Sequence, residues 1–131
     1  MTSITINLGD AFLIDTPPNS QHLYIAIAQT SETNYLFVNV TTRRSNSETS
    51  CLLIPGSDVP SFIKSESVVA YQYAREMDAI DLAGLITPGS PIPKGYFSAN
   101  VLARIQQSGL ASKRLKNRYK IALKAFLEMS D

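Results

Sequence analysis

The sequence predicts a mainly β domain with C-terminal helices, a β+α chain whose short antiparallel strands make a small barrel or strongly bent sheet. Three observations carry this expectation. Short apolar runs of alternating pattern, rich in β-branched residues and punctuated by Gly and Pro, fill the first two thirds of the chain. A stretch holding three prolines and two glycines, Thr87 to Gly95, then excludes any regular element. Beyond it the apolar residues recur at helical spacing. A length of 131 residues suits one domain able to bury a core without disulfides or a structural metal. Within it we place a β body over residues 1–86, the connector over 87–97 and helices over 98–131.

The first strand covers Ala11 to Ile14 and stops at Thr16-Pro17-Pro18-Asn19-Ser20, where two prolines remove backbone donors. In the second, Leu23, Ile25 and Ile27 form a bulky face and alternate with Tyr24, Ala26 and Ala28. Ser31-Glu32-Thr33-Asn34 reads as a hairpin loop that makes the next strand its antiparallel neighbour. That central run, Tyr35 to Arg44, puts Leu36, Val38 and Val40 on a core face and Tyr35, Phe37, Asn39, Thr41 and Arg43 on the other. The polar Ser45–Ser50 segment reads as a surface loop, and Cys51 to Ile54 as a strand closed by Pro55-Gly56. A further alternating run sets Val69, Tyr71, Tyr73 and Arg75 on one face, with Val68, Ala70, Gln72 and Ala74 on the other. Asp78 to Leu85 is expected as a short helix. Ser98 is expected to cap a helix that ends near Gly109, and Ser112 to cap a longer one carrying Leu115, Tyr119, Leu123, Phe126 and Leu127.

A net charge of +1 conceals a division along the chain. Up to Ile86, four basic residues face nine acidic ones, a balance of −5; from Thr87 onward, eight face two, a balance of +6. Such polarity suits either a basic tail for nucleic acid or a helix docked on an acidic body. In the docked case the apolar stripe from Leu115 to Phe126 closes the barrel. The single cysteine, Cys51, lies in an apolar run and is expected as a buried thiol in a reducing compartment. No run approaches the roughly 20 apolar residues of a membrane span, and the first residues lack a signal-peptide pattern, so a cytoplasmic protein without membrane contact is expected.

The residue inventory excludes several chemistries. One His and one Cys, with no carboxylate pair beside the His, make no metal-ligand set, so no metal or other cofactor is expected. The six glycines never cluster into a phosphate cradle, and no serine stands in a nucleophile-elbow context. Chemistry on a phosphodiester remains possible, because it needs only a proton acceptor or donor and cations aimed at the phosphoryl oxygens. Histidine is the side chain that changes charge near neutrality, and His22 shares a face with Tyr24. A favourable register would bring Thr41 and Arg43 to it across the hairpin, with Arg44 next to them. Tyr24, Tyr71, Tyr73 and Arg75 are candidates for stacking bases and holding phosphates. Each feature also has a plain reading: His22 as a polar turn residue, Thr41 to Arg44 as a solvated strand end, and the tyrosines as packing.

The order Gly9-Asp10-Ala11-Phe12-Leu13-Ile14, Leu23-Tyr24-Ile25-Ala26-Ile27, Val38-Asn39-Val40-Thr41-Thr42-Arg43 and Ser67-Val68-Val69, leading to Arg75 and Leu82, resembles the toxins of the MazF/PemK/Kid family. Those proteins open with a Gly-Asp strand and continue with an Arg-Pro strand and one ending in a Thr-Ser/Thr-Arg-like run. A Ser-Val strand finishing near an Arg follows, and helices close the chain. The resemblance covers about Gly9 to Leu85. It implies an SH3-like barrel, usually a homodimer, that cleaves single-stranded RNA without a metal and is restrained by an antitoxin protein. Thr41 matches the family's active-site Thr. The catalytic Arg of the Arg-Pro pair has no counterpart, since His22-Leu23 stands there; an imidazole is a weaker, pH-dependent cation that can serve as base or acid. The resemblance therefore implies either an endoribonuclease rearranged around His22, Thr41 and Arg43, with Tyr24, Arg44, Tyr71 and Arg75 binding RNA, or a non-catalytic barrel that binds a protein partner or nucleic acid.

Overall fold

The computed structural model describes residues 4–16 and 20–129. The Pro17-Pro18 stop expected after the first strand lies outside them. Among the described residues, six antiparallel strands make one sheet, curled into a half-barrel, in the order β4-β5-β3-β2-β1-β6. The strands are β1 (Asp10–Thr16), β2 (Ser20–Gln29), β3 (Asn34–Thr42), β4 (Leu52–Leu53), β5 (Ser67–Asp78) and β6 (Gly95–Tyr96). The helices among the described residues are α1 (Ala79–Leu85), α2 (Ala99–Ala111) and α3 (Asn117–Met129). The β+α class is as the sequence predicts. Among the described residues, no helix is long and apolar enough to cross a membrane.

Both faces of the central strand are covered. Leu36, Val38 and Val40 join Ile25, Ile27, Val69 and Tyr71 in a cluster under α2 and α3, to which the helices contribute Ile105, Tyr119 and Leu123, and the turn between them Leu115. The opposite face carries a second, smaller cluster in which Phe12, Ile14, Tyr24, Ala26 and Phe37 pack with Leu82 of α1 and with Ile4, Ile6 and Leu8. The stripe on α3 is thus core, and the helix docks on the sheet as one of the two readings of its charge supposed. Gln106 of α2 strengthens the same junction by donating to the Ile27 carbonyl at 2.8 Å.

Local chemistry explains the helix ends. The Asp78 carboxylate accepts from Asp81 N–H at 2.7 Å, and Ser98 Oγ accepts from Val101 N–H at 3.3 Å, each satisfying a first-turn donor. Ser112 departs from expectation. It is the C-cap of α2, and its Oγ accepts from Arg114 and Leu115 N–H in the turn before α3, which begins five residues later at Asn117. The connector is not wholly irregular either, since Gly95 and Tyr96 at its end pair with Ala11 and Asp10.

Two irregularities redistribute the side chains. Between Ala26 and Ala28, β2 takes two steps while β3 takes one, which turns Ala28 to the helix-bearing face. More consequentially, β5 takes five steps from Ala70 to Arg75 while β3 takes two from Asn39 to Phe37. The three extra residues are an odd number, and an odd slip reverses the faces of a strand. Val69 and Tyr71 therefore point under the helices, whereas Arg75 and Met77 emerge on the other side beside Phe37 and Tyr35.

Candidate functional site

The site is built where β2 and β3 run off the small cluster. Leu23 pairs with Val40 and Tyr24 with Asn39, so His22, one residue beyond the last ladder pair, stands opposite Thr41 on the face of Tyr24 and Asn39. Cross-strand neighbours of this kind have Cβ atoms about 5 Å apart, close enough for an imidazole and a hydroxyl to hold one phosphoryl group. His22 is half-buried, Thr41 is exposed and Asn39 is buried, with its Nδ2 donating to the Leu23 carbonyl at 3.3 Å.

Tyr24 links this pair to the charged end of the patch. Its ring is 5 % exposed and belongs to the small cluster, and its hydroxyl donates to the Tyr73 carbonyl at 3.0 Å. Burial pushes its phenol above the ordinary tyrosine value, while the nearby Arg75 guanidinium pulls it back. Arg75 itself stands beside Phe37, four residues along β3 from Thr41, or roughly 13 Å at 3.3 Å per residue. An arginine side chain shortens that gap without closing it, so Arg75 suits a neighbouring phosphate rather than the one at Thr41.

The remaining candidates disperse. Arg43 follows Thr41 on the same face, but its guanidinium is ion-paired with Glu66, and its N–H donates to the Glu66 carbonyl at 3.0 Å. The two side chains are 45 % and 42 % exposed, where such a pair contributes about 0–1 kcal/mol, so a phosphate can compete with the carboxylate. Arg44 is exposed beyond the strand, in a turn where its N–H donates to Ser47 Oγ at 2.8 Å. Tyr71 does not belong to the site. It is fully buried and donates to the Ile105 carbonyl at 2.6 Å, so no base can stack on it without opening the core. Tyr24 is excluded from stacking for the same reason, and only its hydroxyl edge reaches the patch. The aromatic surface beside Arg75 is Tyr73, 60 % exposed.

Two features escaped the sequence reading. Asn39 braces the β2 backbone at the site, through a contact that a buried polar residue in mid-strand hints at only by its oddity. Lys94 was hidden in the connector; its ammonium lies 5.6 Å from the centre of the Phe62 ring and lines a groove on the helix-bearing side of the same strand ends. Among the described residues there is no cluster of His, Cys, Asp and Glu able to hold a metal ion. Set against protein-family models and curated proteins, the chain matches none.

Proposed function

We propose that the protein is a MazF/PemK-like endoribonuclease acting on single-stranded RNA without a metal, through the patch formed by His22, Thr41 and Arg75. The observation that supports this most strongly is the β2–β3 register, whose last pair, Leu23–Val40, brings the one imidazole of the chain and the exposed Thr41 to adjoining positions of neighbouring strands. In this reading the 2′-hydroxyl of the substrate attacks the adjacent phosphorus and loses its proton as the O2′–P bond forms. The P–O5′ bond breaks, and the departing O5′ takes up a proton. His22 moves a proton in this exchange, and Thr41 positions a phosphoryl oxygen. Arg43, once drawn from Glu66, neutralises the same group, Arg75 holds the next phosphate and Tyr73 stacks a splayed base. An antitoxin protein and a second copy of the chain are the partners this reading implies, within a cytoplasmic setting.

One observation favours the second reading, a non-catalytic binding module: the cation nearest Thr41 is already paired with Glu66. Incubation of the purified chain with single-stranded RNA in chelator separates the two. Cleavage that falls as salt rises, and is lost in Thr41→Ala, is expected. RNA left intact across pH 5 to 8 overturns the enzyme reading.

A further inference from the structure

The geometry points to a second subsite, in which a groove on the opposite side of the β2–β3 strand ends receives one nucleotide of the RNA, its base against Leu23 and Val40 and its phosphate at Lys94. The inference rests on the RNA reading above and extends it to a surface outside the catalytic patch.

The groove has a volume of about 300 Å3, at the lower end of the range for small-ligand pockets and suited to a single nucleotide. Its lining includes the apolar Leu23, Val40 and Phe62, and its polar groups are few: Gln21, Thr41, Thr42, Ser67 and Lys94. Ser67 pairs with Thr42 across the ladder, so both hydroxyls stand on the same face as Val40. Among the described residues no carboxylate lines this groove, although the β body as a whole has a balance of −5. Lys94 is held over the Phe62 ring and, among the described residues, is not ion-paired with an acid, which leaves its charge available to an anion.

The wall that carries the cation is closely packed. The Phe62 ring meets Phe97 edge-on, with centroids 6.3 Å apart, and lies so close over Gly95 that a Cβ there would come within 2.7 Å of it. The groove is also continuous with the patch. Thr41 and Thr42 both line it, yet successive strand residues face opposite ways about 3.3 Å apart, so one chain end serves both surfaces. A single strand crossing that end passes from the His22–Thr41 pair to Lys94 within a nucleotide or two.

The test is a two-dimensional NMR titration of the full chain with a 2′-O-methyl tetranucleotide, which cannot be cleaved because its nucleophile is capped. Amide shifts at Gln21, Thr42, Ser67 and Lys94 are expected to saturate together with those at His22 and Thr41. In Lys94→Gln, a change at a half-buried position outside both core clusters, the slope of log affinity against log salt is expected to fall by about 0.7, one phosphate contact on a single strand. Shifts at His22 and Thr41 alone, or an unchanged slope in Lys94→Gln, overturn the groove and leave the catalytic patch standing. Absence of shifts at both places overturns both. Equal groove shifts with inorganic phosphate at the same concentration also overturn the proposal, since they describe a simple anion site.

Discussion

Tyr71→Phe separates packing from RNA contact at the residue where the two were most easily confused. The substitution keeps the ring, which is fully buried against the helices, and removes a hydroxyl that donates to the Ile105 carbonyl at 2.6 Å. Ile105 lies inside α2, so its oxygen keeps the acceptor role in the helical ladder and is not orphaned. The cost is therefore about 1 kcal/mol, one buried hydrogen bond. With about 2.1 cal/mol/K of unfolding entropy per residue over 131 residues, that lowers Tm by about 4 °C. Thermal denaturation followed by circular dichroism reads the shift, and RNA affinity at a temperature where both proteins are folded is expected to be equal. An unchanged Tm, or a loss of RNA affinity without a loss of Tm, would refute the placement of Tyr71 in the core.

Three further outcomes follow from the same geometry. Arg75 lowers the Tyr24 phenol against the upward push of burial, so Arg75→Gln should move the Tyr24 titration to higher pH, read by NMR of ring-labelled tyrosine; no movement would separate the two groups. Burial also pushes the Cys51 thiol up, which disfavours the reactive thiolate, so a thiol reagent at pH 8 should label the native protein slowly and the denatured protein at once. Ser98→Ala removes the acceptor for Val101 N–H and should cost about 1 kcal/mol in denaturant unfolding, while Ser112→Ala acts on the turn and leaves the start of α3 intact.

The strands were legible because alternation places apolar residues by a period of two, and Leu36, Val38 and Val40 fall on the core face as read. The same rule misplaced Tyr71 relative to Arg75. Alternation holds only while register holds, and nothing in Ala70-Tyr71-Gln72-Tyr73-Ala74 announces three extra residues against β3. Ser112 misled for a related reason: its hydroxyl serves backbone donors whether it caps a helix or closes the turn before one. Lys94 shows the limit of composition, since prolines mark a connector without saying which surface its side chains cross. The alignment of His22 with Thr41 was not fixed by the sequence: the hairpin loop sets Gln29 against Tyr35, a register that would carry His22 to Thr42, and the bulge between Ala26 and Ala28 shifts it by one residue.

The central claim is that His22 and Thr41 act as one unit on a phosphodiester, and a double-mutant cycle on RNA cleavage in chelator tests it most directly. His22→Ala is expected to lose at least about 100-fold in rate, the low end for a proton-transfer group. Thr41→Ala should fall comparably, and the double variant little further than either. Losses that multiply, or singles that cleave like the parent, would contradict it.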